Sequence, residues 1–386
     1  MGDGGRPRVL MAVEQLRRRV PGGIGAYARG LLGGLGECAD EGDEVAVTLL
    51  ASRIPGHLLG RVTPMADPLT AFGRPVLTSR LPGPLLTRAW DHGLGQPPSG
   101  FDIVHSISLA APPVRRDAPR RSVVTVHDVA WRRHPEATTA RGRAWHEASL
   151  CRVRDSGASM VVTSRFVAAD LIADGVAMER LTIVHGGSDH LVEPDEAGTD
   201  RLLALTGVRG GFLLTVSTLE PRKNVDRLLE AYRAIRASLP EPWPLVIVGP
   251  TGWGPQLPSP EHAAGVVLAG TVPDAVLTGL YRRARAFAYV PLTEGYGLPP
   301  LEAMRMGTPS VVANEVPSVH DLDESIEPAV VIVDPLDVDD IARGLVAVLT
   351  DEVVRADLAT RGESYARART WRAAAHQHIA LWRSLA

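Results

Sequence analysis

Two glutamates eight positions apart, Glu294 and Glu302, flank a glycine- and proline-rich turn. A buried strand is predicted at residues 286–290, and the glycines that follow it would let the backbone approach a ligand closely. The prolines at 299–300 suit the opening of a helix, whose first-turn amides form a site for an anion. We expect Glu294 in the loop before this helix and Glu302 on its first turn. Carboxylates on both sides of a phosphate-sized site would fit the hydroxyls of a sugar joined through a diphosphate to a nucleoside.

A second candidate phosphate-binding turn holds the only lysine of the chain, Lys223, beside Arg222; the other 40 basic residues are arginine. The turn lies between a predicted strand at 212–217 and a helix that starts at Asn224, outside the carboxyl end of the strand, where open α/β sheets bind ligands. A compact ammonium on a flexible stem is suited to contact a phosphate. The alternative is that an arginine-rich chain kept one lysine by chance on a solvated turn.

The elements that must position these turns alternate between strand and helix along the whole chain. Strands are predicted at residues 9–13, 45–50, 102–107, 123–126, 160–162, 181–184, 212–217, 245–248, 266–268, 286–290, 310–312 and 330–333. Short apolar strands separated by helices are typical of parallel sheets covered on both faces. We therefore predict an α/β fold of two facing, Rossmann-like, doubly wound domains with a ligand cleft between them. The domains are predicted at 1–195 and 206–369, joined within the polar stretch 192–211, and the C-terminal helix at 370–386 would pack back on the first domain.

Length, net charge and cysteine content indicate the general class of protein. At 386 residues the chain is too long for one ordinary core. The net charge of −3 is spread evenly over both halves, without the basic excess expected for binding nucleic acid. Two cysteines, Cys38 and Cys151, are too few for a disulfide framework and suggest a reducing cytosol. We also expect no signal peptide, because the start leads directly into the first strand, and no apolar run reaches the ~18 residues of a spanning helix. These features predict a cytoplasmic protein, which could also associate with the cytoplasmic face of a membrane.

One region, residues 53–100, is rich in proline and glycine and matches neither the helix nor the strand period. It contains an apolar and basic segment at 77–90. A long irregular loop in a compact domain is often a binding segment. The segment could line an acceptor cleft, touch a membrane surface or be an ordinary surface loop.

A glycine loop at residues 21–25 follows the first strand, and strand, glycines and helix in that order could form a dinucleotide-binding fold. The third glycine in register is missing, which weighs against that interpretation. An NAD(P)-dependent oxidoreductase would also need an acidic residue at the end of the second strand, which is followed instead by Ser52 and Arg53. The arginine triplet at 17–19 in this loop could reach an acceptor, although a solvated charge run is the simpler interpretation.

Taken in order, these motifs resemble glycosyltransferase family 4, the retaining GT-B enzymes of group 1 type, along nearly the whole chain. The resemblance rests on the Glu-x7-Glu run, the Arg-Lys-Asn turn, the glycine loop 21–25, the histidine segment 125–128 and the serine turn 163–166. The run 185–189, His-Gly-Gly-Ser-Asp, departs from the family's usual Asn-Gly-Val-Asp. The segment 127–136 looks most like the mannosyltransferase-type branch.

The resemblance implies a role for each matching residue. Arg222 and Lys223 would hold the donor diphosphate and offset the charge that builds on it. Glu302 would bind the ribose hydroxyls, and Glu294 would contact hydroxyls of the transferred sugar. His127 would lie near the reacting face of the sugar. Further donor-site residues would be Gly23, Gly295, Tyr296, Gly297 and Leu298, with Asp128 and Ser164 as lesser candidates.

The resemblance implies transfer of a hexosyl group from a nucleoside-diphosphate sugar, with GDP-mannose favoured, to a hydroxyl of a glycan, a lipid-linked glycan or a small metabolite. A nucleotide-sugar epimerase of the same fold is the alternative, followed by the oxidoreductase and by a non-catalytic binder of sugar nucleotides. We predict no cofactor and no metal. The acidic runs 321–323 and 337–340 match Asp-x-Asp only superficially, and His376 and His378 lack the spacing of a zinc site.

Overall fold

A computed structural model describes residues 6–18, 20–43, 45–53, 67–252, 264–320 and 328–386. The chain forms two compact units, the first made of residues 1–129, 140–190 and 370–386 and the second of 130–139 and 191–369. The predicted first domain, 1–195, thus includes a segment, Ala130–Thr139, that groups with the second unit.

Strands and helices alternate through the described residues. The strands are β1 (Arg8–Ala12), β2 (Ala46–Ala51), β3 (Val76–Thr78), β4 (Ile103–Ser106), β5 (Ser122–Val126), β6 (Ser159–Val162), β7 (Leu181–Ile183), β8 (Leu213–Val216), β9 (Leu245–Val248), β10 (Val266–Gly270), β11 (Ala286–Tyr289), β12 (Ser310–Ala313) and β13 (Val331–Val333). The helices are α1 (Gly22–Asp40), α2 (Gly83–Asp91), α3 (Ala130–Arg133), α4 (Ala140–Asp155), α5 (Arg165–Ala173), α6 (Glu196–Leu205), α7 (Val225–Arg236), α8 (Asp274–Arg283), α9 (Leu298–Arg305), α10 (Pro317–His320), α11 (Val338–Thr350), α12 (Glu352–Arg367) and α13 (Trp371–Leu385).

The first unit contains a parallel sheet with the strand order β3-β2-β1-β4-β5-β6-β7. Its central strands β1, β4 and β5 are buried along almost their whole length, and Val9, Leu10 and Met11 of β1 are fully buried. This pattern is expected of a parallel sheet that helices cover on both faces. The strand order reverses between β1 and β4, so the loops that follow these two strands diverge and leave a crevice at the carboxyl edge.

The second unit contains a parallel sheet with the order β10-β9-β8-β11-β12-β13. Here the order reverses between β8 and β11. The loops after these two strands carry Arg222, Lys223 and Glu294, and a topological switch point is where doubly wound sheets bind ligands.

The predicted α/β class with parallel sheets is confirmed, and each predicted strand overlaps an observed one. The structure also contains strands and helices that were not predicted, because proline, glycine and polar residues interrupt the periodic pattern of apolar residues there. Within the irregular region 53–100, residues 54–66 lie outside the described residues, while β3 and α2 form in the remainder. The polar stretch 192–211 contains α6, which starts because the Asp195 side chain accepts a hydrogen bond from the amide of Gly198 at 2.8 Å.

The C-terminal helix α13 packs on α1 within the first unit. Trp371 and Trp382 of α13 are almost completely buried. The Trp371 amide donates to Asp189 Oδ1 at 2.8 Å, and its indole Nε1 donates to His190 Nδ1 at 3.0 Å. Gly34 of α1 lets the two helices approach closely, because a Cβ atom built there would lie 2.2 Å from the Trp371 carbonyl oxygen.

This close approach predicts opposite effects of one substitution at two neighbouring positions of α1. Gly34→Ala should lower the free energy of unfolding by about 1–3 kcal/mol, because the backbone of α13 must move away. Gly33→Ala should raise it by about 0.5–1 kcal/mol, since that position is open and alanine favours the helix. Urea unfolding of both variants measures the difference. Equal effects at the two positions would contradict the close packing of α1 and α13.

Candidate active site

The switch point of the second sheet joins the loop after β8 to the loop after β11. The Lys223 ammonium donates a hydrogen bond to Glu294 Oε1 and lies 2.8 Å from the Tyr289 hydroxyl. Arg222 Nη1 lies 3.0 Å from Glu294 Oε1. The amide of Leu292 donates to the Arg222 carbonyl at 2.9 Å, which ties the two loops together. Three of the predicted site residues are therefore neighbours, although 71 positions separate Lys223 from Glu294.

The electrostatics of this cluster follow from burial and charge. The exposed fractions of the side chains are 18% for Arg222, 12% for Lys223 and 10% for Glu294. Burial raises the pKa of the Glu294 carboxyl, but the charges of Arg222 and Lys223 outweigh it and lower that pKa to about 2. Burial lowers the pKa of the Lys223 ammonium, the Arg222 charge lowers it further, and Glu294 opposes both. Glu294 is thus ionised at neutral pH and a weak proton acceptor.

Tyr289 and Glu220 complete the cluster and were not predicted. The Tyr289 hydroxyl, at the end of β11, donates to Glu294 Oε1 at 2.8 Å. Glu220 Oε1 accepts a hydrogen bond from Arg222 Nη2 at 2.8 Å. Glu220 belongs to the turn whose lysine marked it in the sequence, so its contact could have been anticipated. The orientation of Tyr289 depends on the sheet and had no comparable signal.

Asn224 holds the turn that carries both cations. Among the described residues it is the only non-glycine with a positive φ, at 56°; asparagine tolerates this left-handed conformation better than most residues. Its side-chain amide Nδ2 donates to the carbonyls of Val290, at 2.9 Å, and Pro335, at 2.7 Å. Asn224 therefore anchors the turn to the end of β11. The sequence pattern had indicated only that a helix starts at this residue.

Glu302 lies on α9, and its carboxylate Oε2 accepts a hydrogen bond from the Tyr281 hydroxyl at 2.7 Å. The side chain is buried, with 7% of the residue exposed. The expectation that Glu302 occupies the first turn was wrong: the helix starts at Leu298, ahead of both prolines, which places Glu302 on the second turn. Burial raises the pKa of Tyr281, and the Glu302 charge raises it further. Tyr281 therefore remains a hydrogen-bond donor that orients Glu302.

The turn at 295–298 has a backbone shape that requires glycine at one position. Gly297 has φ +93°, and a Cβ there would lie 2.5 Å from Val316 Cγ1. Ser318 fixes the turn from the other side, since its amide donates to the Tyr296 carbonyl at 2.8 Å and its hydroxyl donates to the Gly297 carbonyl at 2.6 Å. Together these contacts orient the first amides of α9, which begins at Leu298.

In the first unit, His127 follows β5 and is half-buried. Its Nε2 lies 2.7 Å from the carbonyl oxygen of Ile107. A carbonyl only accepts, so Nε2 carries the proton and Nδ1 is left as an acceptor. Burial lowers the pKa of His127, and the contact with Ile107 opposes that effect. The ring is therefore suited to accept a hydrogen bond from a hydroxyl group.

Three further site residues were predicted in the first unit. Ser164 is fully buried and its hydroxyl accepts a hydrogen bond from the Val167 amide, which makes it the N-cap of α5. Gly23 is exposed in the first turn of α1, with open space where a Cβ would stand. Asp128 is half-buried next to His127, and its charge raises the pKa of that histidine.

A buried aromatic network lies behind His127. Tyr27 packs edge-on against the His127 ring with centroids 4.9 Å apart, and its hydroxyl lies 3.0 Å from His378 Nε2. His378 in turn stacks on His105, whose Nε2 lies 2.9 Å from the Thr125 hydroxyl. Burial lowers the pKa of His378 to about 4, and it lowers the pKa of His105 well below its usual range, an effect to which the charge of His378 adds.

The network predicts a loss of stability in mild acid. His378 binds a proton near pH 6.5 in the unfolded chain but only near pH 4 in the folded protein. The unfolded state therefore gains protons first, so His378 alone should remove about 2 kcal/mol of unfolding free energy between pH 7 and pH 5. Urea unfolding at both pH values measures the loss. Glu294 does not contribute in this window, because its stabilisation is lost only between pH 4.5 and about 2. A His378→Gln variant with the same pH dependence would contradict the prediction.

The acidic motifs behave as structural elements where they are described. Asp337 caps α11, accepting hydrogen bonds from the amides of Asp339 and Asp340. Residues 321–323 lie outside the described residues. His376 Nδ1 lies 3.0 Å from Asp43 Oδ2. Within the described residues, no group of three or more His, Cys, Asp and Glu side chains could hold a metal ion.

The helices of the described residues were also compared with the length and hydropathy of a membrane span. None of them meets both requirements.

Comparison with known proteins identifies the family. The model for Glycosyltransferase Family 4 matches residues 21–190, and the model for Glycosyl transferases group 1 matches residues 208–368. The O-antigen chain mannosyltransferase B of Escherichia coli is 31% identical over 276 residues, which cover 69% of this chain and 71% of that protein. The chain belongs to the family 4, group 1 glycosyltransferases. This membership confirms the predicted enzyme class and argues against the oxidoreductase alternative.

Solved structures show the fold of this glycosyltransferase. Anabaena HepE, crystallised in complex with UDP and glucose, matches 97% of this chain and 98% of its own with a TM-score of 0.65 at 16% identity. Sucrose-phosphate synthase from Thermosynechococcus elongatus matches 98% and 99% with a TM-score of 0.69 at 17% identity. The predicted GT-B fold is thereby confirmed.

Proposed function

We propose that this glycosyltransferase moves a mannosyl group from GDP-mannose to a hydroxyl of a glycan, a lipid-linked glycan or a small metabolite, with retention of the anomeric configuration. The choice of mannose is supported by the relative from Escherichia coli, which is named a mannosyltransferase. The observation that carries the proposal is the nearly buried pair of cations, Arg222 and Lys223, at the switch point of the second sheet.

Charge on the leaving group is the main obstacle to glycosyl transfer. As the bond to the anomeric carbon breaks, negative charge accumulates on the diphosphate. Two fixed cations in a partly dehydrated site stabilise that charge more than solvent-exposed cations would, because screening by water is weaker. Asn224 and the amide of Leu292 hold the turn in place, so little reorganisation is needed as the charge develops.

Retention by same-face attack suits the chemistry of Glu294. A carboxyl with a pKa of about 2, held by two cations, is a weak nucleophile and a weak base. In the proposed reaction, the acceptor hydroxyl attacks the anomeric carbon on the face that the diphosphate leaves. The departing phosphate oxygen takes the proton of that hydroxyl, so no side chain must serve as general base.

Glu294 keeps one carboxylate oxygen available, and the other proposed roles are those that the family resemblance implies. The contacts of Glu294 with Lys223, Arg222 and Tyr289 all use Oε1, so within the described residues Oε2 can accept from a sugar hydroxyl. Glu302 binds the ribose, and the turn 295–298 supports sugar and phosphate through its amides. For Gly23 and His127 of the first unit, the family resemblance implies contacts with a phosphate and with a sugar hydroxyl, the latter through His127 Nδ1.

A screen by thermal shift tests the donor. The purified protein is heated with GDP, UDP, ADP, dTDP and their sugar conjugates, with EDTA and then with Mg²⁺, and with NAD and NADP. A ligand at about 100 times its Kd adds about 2.7 kcal/mol, enough to shift the melting temperature. Stabilisation by GDP-mannose in EDTA supports the proposed donor and a site that binds it without a metal ion. Selective stabilisation by UDP-glucose would replace the donor while keeping the transferase.

Product analysis separates transfer from epimerisation, the same-fold alternative. Incubation of the enzyme with the stabilising donor and a panel of hydroxyl acceptors should yield a glycoside with the anomeric configuration of the donor, measured by ¹H NMR. Interconversion of nucleotide sugars without an acceptor would identify an epimerase. An inverted glycoside would overturn the same-face mechanism.

Tyr281→Phe should weaken binding of the preferred nucleoside diphosphate about fivefold. The substitution removes the 2.7 Å hydrogen bond that orients Glu302, worth about 1 kcal/mol. Calorimetric titration measures Kd, and the 2′,3′-dideoxynucleotide is the control. If Glu302 binds the ribose, the variant and the wild type should bind that analogue equally. A fivefold loss with both nucleotides would refute the ribose role.

A further inference from the structure

Tyr27 of α1 contacts the His127 ring from the buried side of the first unit. The two rings meet edge-on, with an interplanar angle of 85° and centroids 4.9 Å apart. Tyr27 is buried, with 3% of the residue exposed. His127 has a second contact through Nε2, which lies 2.7 Å from the Ile107 carbonyl oxygen. The imidazole is therefore held by one hydrogen bond and one aromatic contact.

The hydrogen bond to Ile107 does not fix the orientation of the His127 ring by itself. The side-chain torsion that turns a histidine ring is broad and roughly two-fold. A ring held at one nitrogen could therefore turn and carry Nδ1 away from a ligand. The edge-on contact with Tyr27 restricts that rotation, and such aromatic contacts stabilise more than their buried area alone.

The Tyr27 ring is held in turn by α13. His378 Nδ1 lies 2.8 Å from the Ala374 carbonyl, which only accepts, so Nδ1 carries the proton and Nε2 is an acceptor. The Tyr27 hydroxyl, 3.0 Å from His378 Nε2, therefore donates to it. Trp371 packs edge-on against the Tyr27 ring with centroids 5.3 Å apart. Both contacts oppose a change of the Tyr27 rotamer.

Two strands of the first sheet complete the hydrogen bonding of Tyr27. Burial raises the pKa of Tyr27, and a hydrogen bond from the Thr125 hydroxyl opposes that effect. The Thr125 oxygen lies 2.9 Å from His105 Nε2 and is left to accept the proton of that nitrogen. His105, Thr125 and His378 are fully buried. Side chains from β4, β5 and α13 thus form one chain of buried hydrogen bonds through Tyr27, and moving its ring would break them.

We propose that Tyr27 is a positioning residue, which holds the His127 ring so that Nδ1 accepts a hydrogen bond from a hydroxyl of the transferred sugar. The inference rests on the role of His127 in the proposed function and adds the residue that makes this role possible. Tyrosine suits the position because its ring supplies the contact with His127 and its hydroxyl supplies the connection to α13 and β5. Phenylalanine would supply only the ring, and leucine neither.

A double-mutant cycle tests the proposal with the donor that the thermal-shift screen identifies. His127→Ala should lower kcat/KM about tenfold, a usual cost of losing one hydrogen bond. Tyr27→Leu should lower it to a similar extent. In the His127→Ala background, Tyr27→Leu should have a further effect of less than about twofold, because Tyr27 acts through His127. Losses that multiply would overturn the positioning role.

Three further variants separate positioning from loss of stability. Tyr27→Phe should keep kcat/KM within about threefold of the wild type because the ring contact remains, while its melting temperature falls. Tyr27→Met, which fills space without a ring, replaces the leucine variant if that variant does not fold. Tyr232→Leu is the matched control, because Tyr232 is a fully buried tyrosine of the second unit whose hydroxyl donates to the Trp243 carbonyl at 2.8 Å. It should lower the melting temperature similarly and leave kcat/KM within about twofold. Equal loss of activity in this control would overturn the proposal.

A measurement without substrate distinguishes failure of this inference from failure of the proposed function. The Nε2 proton of His127, bonded to Ile107, should give a protected ¹H–¹⁵N signal in the wild type and in Tyr27→Phe, assigned by its absence in His127→Ala. In Tyr27→Leu the ring can turn, so the proton should exchange with water and the signal should disappear. An unchanged signal in Tyr27→Leu would overturn the positioning role even in an active transferase. Loss of the signal in a protein without transferase activity would support the hold on His127 and refute only the proposed function.

Discussion

Lys223→Ala should reduce kcat by about 100- to 1000-fold, the usual cost of removing one group that stabilises transition-state charge. The ammonium is held by Glu294 and Tyr289 next to Arg222, so the departing diphosphate meets it without reorganisation. The effect on KM should be smaller than the effect on kcat, because the charge on the leaving oxygen is largest in the transition state. Steady-state kinetics with the donor identified by thermal shift provide the measurement.

Two variants control this experiment. Lys223→Arg keeps the charge but not the compact shape, and should retain more activity than Lys223→Ala. Arg233→Ala, on the exposed side of α7, removes a cation of the same unit and should leave kcat within about twofold, as expected for a surface position without a role in the site. A kcat of Lys223→Ala within tenfold of the wild type would contradict the proposed role.

Glu294→Gln should lower the free energy of unfolding by about 2–3 kcal/mol, below the usual 3–5 kcal/mol for breaking a buried pair because the side chains keep some exposure. The substitution keeps the shape but leaves Arg222 and Lys223 next to each other without the carboxylate that balances them. The loss should be constant at neutral pH and disappear as the pH falls from 4.5 towards 2, where the wild-type carboxyl also becomes neutral. Urea unfolding between pH 3 and pH 7 measures it.

Glu352→Gln is the matched control, because Glu352 also pairs with two arginines, Arg285 and Arg355, but is 67% exposed on its side chain. Its removal should cost much less than the removal of Glu294, because water and salt screen an exposed ion pair. If both variants lose the same stability, burial does not strengthen the Glu294 cluster, and the argument for a partly dehydrated cation site fails with it.

The predictions for Glu294 and Glu302 show what residue patterns can and cannot establish about this site. The charged turn at 222–223 and the Glu-x7-Glu run were found because their residue types are unusual where they stand: a lone lysine after a strand, and carboxylates around glycines and prolines. The placement of Glu302 on the first turn of its helix was wrong. Prolines are accepted at the first helical positions, but they do not specify which residue begins the helix, and here Leu298 precedes both.

The region 53–100 shows a second limit. Proline and glycine obscured the periodicity, yet β3 and α2 form there, because α2 buries Leu86 and Trp90 against the sheet. A nine-residue helix with two buried side chains has too weak a pattern to be recognised alone. Its anchoring becomes evident only when Ala12 and Leu50, distant in the chain, are seen beside it.

The local residue pattern alone predicts the class of fold, because short apolar strands that alternate with helices are typical of parallel sheets covered on both faces. It also determined which turns carry charge at strand ends. Folding of the chain brings Lys223 to Glu294 and Tyr289, and it brings Asn224 to carbonyls 66 and 111 positions away. Strand order places these groups together. That order follows from packing among distant segments, which local residue patterns do not encode.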